Sequence, residues 1–379
     1  MAEAREHGST TGVPPGATTA SAAIKAVRDN ADAIFTWRYD RERPQLSSLY
    51  QRAVVSQWNS ETDLDWDTDV DPERLATEML DDLVPPIVRA AAAVPGSPIA
   101  SWTDNEFTAL GVELLRARTS QFMHGEQGAM LVAAKLVETV PWVEAKYLAA
   151  TQTIDEARHT EVFARYLSSK LGEAYPCNAD LESQLTALVE DSRWDISYLG
   201  MQIVIESLAL AAFGSLHRIT KEPLLRSILR YIMADEARHV AFGVLSLREL
   251  YRELSSAELK ERQEFLLESS LSQQKRAFMP EMWERLGVPI PPLLTALAAA
   301  AASGADRGFY ATFPQQFYAK LVPNVRKLGL LDANNGWLRR KWQEEGLLEF
   351  EYWEDPLSEE DAERAVNGSA PALPSEILT

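Results

Sequence analysis

The pentapeptide DEARH occurs twice in this chain, at Asp155–His159 and again at Asp235–His239, 80 residues apart. The same offset carries Glu126 onto Glu206, Leu136 onto Leu216 and Leu167 onto Leu247, with no inserted or deleted residue between the two halves. A helical hairpin used twice accounts for all of these matches at once.

The spacing inside each copy tests that reading. Glu126 and Glu156 are 30 residues apart, and Pro141 stands at their midpoint. A turn there folds two helices back on each other and returns both carboxylates to one level, each ~22 Å from the turn at 1.5 Å per residue. Glu206 and Glu236 repeat the arithmetic around the break at ITKEP, Ile219–Pro223. Within each motif Glu and His are three residues apart and share a helix face. Two hairpins packed together therefore predict four Glu and two His at one level of a bundle.

One Glu from each of two helices, with Glu-x-x-His from each of the other two, is the ligand set of di-iron and di-manganese carboxylate bundles. Carboxylates are hard donors that can bridge two cations, and one imidazole per metal leaves positions open for dioxygen. Four carboxylates and two neutral imidazoles balance two divalent ions, whereas that many acids buried without metal would be costly. A lone Glu-x-x-His carries little weight; two copies with equidistant partners carry much more. The predicted metal ligands are Glu126, Glu156, His159, Glu206, Glu236 and His239. Asp155 and Asp235 are predicted to accept hydrogen bonds from the metal-bound imidazoles, with Arg158 and Arg238 neutralising them. The competing reading of these four is a set of exposed i,i+3 ion pairs. His7, His124 and His217 are expected not to ligate. Glu113, Glu138, Glu144 and Glu161 have no counterpart under the offset and are expected at the surface, solvated or ion-paired.

Periodicity near 3.6 dominates the body of the chain, which predicts an all-α fold. Long helices are expected at 104–139, 142–171, 194–219 and 223–254. Thr103-Asp104 is a candidate cap, and Pro141 and Pro223 suit a first helical turn. Further helices are expected at 257–276 and at 307–320, the latter broken or kinked at Pro314. One or two short helices are expected at 327–350. The acidic stretch 61–73 reads as a solvated loop. Residues 1–24 and 356–379, rich in Ser, Gly and Pro, are expected to be disordered tails. Between them, 25–355 reads as one helical domain, with its bundle at about 104–254 and a C-terminal extension at about 255–355.

Composition narrows the function classes. A formal charge of −19 argues against nucleic acid or an anionic membrane as a partner. The one cysteine, Cys177, cannot build an internal cluster or disulfide, so electrons must come from outside. No secretory segment is visible, and the apolar stretch Leu293–Ala302 is too short to span a bilayer; a cytoplasmic protein is expected. Trp37, Trp58, Trp66, Trp102, Trp337, Trp342 and Trp353 are expected to pack rather than to line a pocket.

With these residues placed, the chain resembles the ferritin-like superfamily of non-haem di-iron oxygenases and oxidases over about residues 104–254. The doubled D-E-x-R-H is most similar to soluble methane and toluene monooxygenase hydroxylases and acyl-carrier-protein desaturases. It also resembles arylamine N-oxygenases and the small subunit of ribonucleotide reductase. The resemblance implies a ferritin-like four-helix bundle with added helices on both sides, and Glu156 and Glu236 as bridging or shifting carboxylates. No single subfamily fits. Phe163 stands where reductase small subunits carry a radical-forming Tyr. Leu210 replaces the Thr of the multicomponent hydroxylases, and Ile232 the extra His of the arylamine N-oxygenases.

The expected activity is oxidation by two iron ions and O2 of a small apolar or aromatic molecule, by C-hydroxylation or N-oxygenation. Desaturation, oxidative C–C cleavage and iron handling are the alternatives. Expected partners are that substrate, an external ferredoxin or flavin reductase, and for assembly a second copy. Phe122, Met130, Phe163, Ile203, Leu210, Phe213 and Ile232 are predicted to line the substrate pocket, with plain bundle core as the competing reading.

Overall fold

The computed structural model describes residues 25–272, 279–306 and 309–353. Both segments expected to be disordered, 1–24 and 356–379, lie outside these residues. Among the described residues the elements are helical. The nine needed here are α1 (Pro44–Val55), α2 (Asp104–Thr139), α3 (Val143–Tyr166), α4 (Ala179–Glu190), α5 (Trp194–Ile219), α6 (Pro223–Leu250), α7 (Ser256–Ser272), α8 (Phe309–Lys327) and α9 (Ala333–Glu344). α2 and α3 form one antiparallel hairpin, α5 and α6 the other, and α6 packs on α3. This is the four-helix, ferritin-like arrangement that the repeat predicts. α1 lies across α3 and α6, and α8 lies along α5.

Local chemistry sets the helix ends. Thr103 caps α2 in a reciprocal box with Glu106, whose carboxylate accepts from Thr103 N at 2.6 Å. Pro223 opens α6, and the Glu222 carboxylate accepts from Leu224 N and Leu225 N at 2.7 Å each. Pro141 does not sit in a first turn as expected. Trp142 is the flanking residue of α3, so Pro141 shapes the connection before it.

α5 is regular except at Leu199–Ile205, where the chain widens into a π-type turn directly before Glu206. Such turns concentrate at functional sites. α5 is also long and apolar enough to cross a membrane, more so than Leu293–Ala302, yet 72% of its apolar window is buried by the surrounding helices. α8 runs on to Lys327 instead of ending near 320, with Pro314 and Pro323 inside it. Each proline removes one backbone donor, and packing along α5 holds the helix together. The acidic stretch 61–73 is a loop as far as Asp71 whose acids Glu61, Asp63, Asp65, Asp67 and Asp69 are exposed to solvent, and it is tied down at a few points. Leu64 is buried, and Lys170 Nζ donates to Trp66 O and Thr68 O at 2.8 Å. Glu113 and Glu144 are not surface acids. Glu113 accepts from the Tyr175 hydroxyl and pairs with Arg116, while Glu144 accepts from Arg43 N.

Candidate metal centre

All six predicted ligands converge in the middle of the bundle, and all are buried. Glu126 comes from α2, Glu156 and His159 from α3, Glu206 from α5, and Glu236 and His239 from α6. They form two overlapping groups whose donor atoms lie within 4.8 Å of one another: Glu126, Glu156, His159 and Glu236, and Glu156, Glu206, Glu236 and His239. Glu156 and Glu236 belong to both.

The oxygens are divided in the same way. Glu156 Oε2 lies 3.3 Å from His159 Nδ1 and its Oε1 3.1 Å from His239 Nδ1. Glu236 Oε1 lies 3.1 Å from His159 Nδ1 and its Oε2 3.0 Å from His239 Nδ1. Each of these carboxylates therefore spans the gap between the imidazoles, which suits a bridging role. Glu126 and Glu206 stand at the two outer ends, 3.5 Å from His159 Nδ1 and 3.8 Å from His239 Nδ1.

Three of the inward atoms, Glu156 Oε2, His159 Nδ1 and Glu236 Oε1, have no hydrogen-bond partner although they are fully buried. Buried polar atoms are normally satisfied, so this convergence of unmet donor atoms fits a cation. The oxygen and nitrogen donor set suits iron or manganese. Charge fits as well: Asp155 and Asp235 are balanced by Arg158 and Arg238, leaving four glutamates for two divalent ions.

In the metal-free molecule protons take the place of those ions. Burial, and then the charge of Glu236, push Glu126 and Glu206 well above the usual carboxylate range. Burial alone would depress the imidazoles. At His159 the hydrogen bond it donates to Asp235 and the nearby carboxylates of Glu126, Glu156 and Glu236 more than offset it, and the charges of Glu156 and Glu236 do so at His239, so both are held well above their ordinary value. Metal entry must displace these protons.

The imidazoles are held from behind, each by the other repeat. With Nδ1 turned inward, His159 Nε2 donates to Asp235 Oδ2 at 2.9 Å and His239 Nε2 donates to Asp155 Oδ2 at 3.3 Å. Arg158 donates to both aspartates and Arg238 to Asp235, so all four predicted surrounding residues are present. None of the four reads as an exposed ion pair: both aspartates and Arg238 are buried.

Residues with no signal in the repeat complete the shell. Trp58 Nε1 donates to Asp235 Oδ2 at 2.8 Å, and the Trp58 ring stacks near His159 with centroids 6.4 Å apart. Gln57 donates to Asp155 Oδ1 and accepts from Arg158, both at 2.8 Å. The π-type turn of α5 brings Gln202 against Gln152 in a reciprocal amide pair, and Gln152 Nε2 also reaches Glu156 Oε1 at 2.9 Å and Glu206 Oε1 at 3.2 Å. Only Gln152 and Gln202 had a sequence signal available: each stands four residues before a ligand.

A cavity of about 270 Å³ opens beside Glu126 and Glu206, where α2 and the Glu206–Ile219 part of α5 diverge. Phe122 and Phe213, two of the residues named for a pocket, form its wall, with rings 4.7 Å apart in edge-to-face contact. The other predicted pocket residues do not line it. Phe163 lies behind those two rings, and Ile203, Leu210 and Ile232 are bundle core. Met130 is half-buried away from the opening. The lining instead follows α2 at Leu114, Ala117, Arg118, Gln121 and Gly125, and α5 at Leu208, Ala209 and Ala212. Leu210 misses by one residue, which on a helix is about 100° of rotation.

No protein-family model matches the chain, and no curated protein matches it. Among solved structures, the chain is similar to an R2-like ligand-binding oxidase with aerobically reconstituted metal cofactor after photoconversion. That match has 17% identity over 76% of this chain and 94% of the other, at a TM-score of 0.46. A single-residue variant of an R2-like ligand-binding oxidase with aerobically reconstituted Mn/Fe cofactor matches at 17% identity, the same coverage and a TM-score of 0.45.

Proposed function

We propose that this protein holds two iron ions between Glu126, Glu156, His159, Glu206, Glu236 and His239. With O2 as co-substrate, it would oxidise a small apolar or aromatic molecule by C-hydroxylation or N-oxygenation. The observation that carries this reading is the division of Glu156 and Glu236, one oxygen of each to either histidine. Two such ions, when bound, supply the capture and reduction of dioxygen and the oxidising power for the organic substrate.

The chain's own groups do the rest. Asp235 and Asp155 orient the imidazoles through Nε2 and fix Nδ1 as the donor to metal. Phe122 and Phe213 exclude water from the approach to Glu126 and Glu206. The cavity volume suits a small organic molecule, and its place against both outer glutamates favours such a substrate over iron storage. Desaturation and C–C cleavage would use the same site. Cys177 is the only cysteine, so the electrons come from a separate donor, a ferredoxin or flavin reductase.

The test is elemental analysis of iron and manganese per chain after ferrous reloading, for the wild type, Glu156→Ala and His239→Ala. Oxygen consumption with a reductase and candidate aromatic or aliphatic substrates would follow. About two metals per wild-type chain, lost in both variants, with substrate-dependent oxygen uptake, is the expected result. Metal content unaffected by both substitutions would end the proposal.

A further inference from the structure

Three pairs of unlike residues under the 80-residue offset stand beside the six converging ones. Phe122 on α2 corresponds to Gln202 on α5, Gln152 on α3 to Ile232 on α6, and Phe163 on α3 to Gly243 on α6. In one half Phe122 and Phe163 pack ring against ring, with centroids 5.5 Å apart. In the other, Gly243 leaves that space open to Gln202, since a Cβ on Gly243 would stand 2.6 Å from Gln202 Cβ. Gln202 occupies it from the widened turn Leu199–Ile205 of α5, whereas the corresponding residues of α2, 119–125, are regular α-helix. The repeat is therefore broken by glycine, by helix geometry and by side-chain polarity on one and the same side of the centre.

Gln202 meets Gln152, and both are buried. Gln152 Nε2 donates to Gln202 Oε1 at 3.1 Å, and Gln202 Nε2 donates back to Gln152 Oε1. With its oxygen engaged in this way, Gln152 turns only N–H towards the glutamates. Its Nε2 lies 2.9 Å from Glu156 Oε1 and 3.2 Å from Glu206 Oε1. Both oxygens belong to the group around His239, at 3.1 and 3.8 Å from its Nδ1. Glu126, the outer glutamate of the other group, lies 3.5 Å from His159 Nδ1, and no amide reaches it among the described residues. Phe122 and Ile232, the counterparts of the two glutamines, have no side-chain N–H or O–H to offer it.

We propose that Gln152, held by Gln202, is a positioning residue that pins Glu206 and makes the two metal positions unequal. The position at Glu206 and His239 binds its ion more tightly and fills first. The position at Glu126 and His159 fills second and exchanges more readily. This rests on the metal reading above. A carboxylate held in place before the ion arrives has less freedom left to lose on binding, and a donor standing behind a metal ligand typically raises affinity about tenfold or more. Glu126 has no such donor and is ordered by the ion itself. Phe122, which stands where the other half has Gln202, is also a wall of the cavity, so the weaker position has the apolar surroundings that a substrate would share.

The test is calorimetric titration of the metal-free, full-length protein with Mn2+ and, without oxygen, with Fe2+. Two steps whose affinities differ about tenfold or more are expected. Glu206→Ala should abolish the tighter step and Glu126→Ala the weaker one. Gln152→Leu/Gln202→Leu removes both amides together, so no unpaired polar group is left behind. In that variant the tighter step should weaken about tenfold, towards the other, while the weaker step stays as it is. A purely structural role of the pair would weaken both steps alike. Electron paramagnetic resonance with one equivalent of Mn2+ reads the same difference: isolated ions in the wild type, and a share of coupled pairs in the double variant. Equal affinities in the wild type, loss of the weaker step in Glu206→Ala, or an unchanged gap between the steps in the double variant would overturn the proposal and leave the two-metal reading standing. No metal binding at all would overturn both.

Discussion

His159 Nε2 lies 2.9 Å from Asp235 Oδ2, so the histidine of the first repeat is held by the aspartate of the second. The reciprocal contact, His239 to Asp155, is 3.3 Å. Each imidazole is held at Nε2 by the partner hairpin. The two halves of the centre are thus coupled through hydrogen bonds as well as through the shared glutamates.

Asp235→Asn should lower metal affinity by about 10–100-fold, the usual effect of removing a carboxylate behind a metal-bound imidazole. Asp235 also accepts from Trp58 and from Arg238, so the variant leaves a buried guanidinium less well compensated and should be less stable too. Trp58→Phe removes one of these donors and should have a smaller effect in the same direction. Chelator competition measures both, and equal affinities in wild type and Asp235→Asn would show that the contact does not tune the site.

Glu206→Gln separates holding metal from holding the fold. Burial and the charge of Glu236 keep Glu206 protonated without metal, and glutamine resembles that neutral acid. The metal-free variant should therefore unfold at the same denaturant concentration as the metal-free wild type, or a higher one. Metal content should nevertheless fall from about two per chain to about one. A clear loss of stability in the metal-free variant would contradict the protonated assignment.

The six converging residues were legible because a helix turns spacing along the chain into direction in space. Three residues put Glu156 and His159 on one face, and thirty residues about a turn put Glu126 level with Glu156. Beyond the two aspartates and two arginines of the repeat, what stands behind them was not legible, because it depends on how separate elements dock. Trp58 and Gln57 reach Asp235 and Asp155 from a segment about a hundred residues upstream or more. The π-type turn at Leu199–Ile205, which brings Gln202 to Gln152, has no marker in the hydrophobic pattern. Of the residues predicted for a pocket, Phe163 and Ile232 stand on α3 and α6, which do not line the cavity, and Met130, Ile203 and Leu210 stand on α2 and α5 but outside its lining. Local period fixes neither the rotation of one helix against another nor where two helices diverge.

Gly243→Ala should be destabilising although it raises helix propensity. A Cβ at Gly243 would stand 2.6 Å from Gln202 Cβ, which is on the π-type turn. Relieving that overlap pushes α6 away from α5 and opens the amide pair of Gln202 with Gln152. Overpacking of this kind costs about 1–3 kcal/mol. Urea unfolding would read it, and a variant as stable as the wild type would show that the helices can part freely.

His217, 8% exposed in the last turn of α5, offers a pH test away from the metal. Burial, and then the charges of Arg226 and Arg230, hold its pKa down to about 4, against 6.5 for a free imidazole. The unfolded chain therefore binds a proton that the folded chain refuses between those values, so this group's share of stability is full above pH 6.5. It is lost as pH falls towards 4. With partial solvent screening the loss is on the order of 1–2 kcal/mol. The stability difference between wild type and His217→Gln should shift by that amount from pH 7 to pH 4.5 in favour of the variant, and a constant difference would refute the assignment.

Gly125 addresses the cavity directly. It stands on α2 next to Glu126, lines the cavity, and has nothing within 4 Å of where a Cβ would be. Gly125→Ala should therefore stabilise the protein by up to about 1 kcal/mol through helix propensity alone. Gly125→Leu should project into the cavity beside Phe122 without disturbing the ligands, so metal content stays at the wild-type level. If the substrate reaches the metals past Phe122 and Phe213, substrate-dependent oxygen consumption in Gly125→Leu should fall at least tenfold. A full metal complement with undiminished turnover would mean that the substrate approaches by another route and that this cavity is not its pocket.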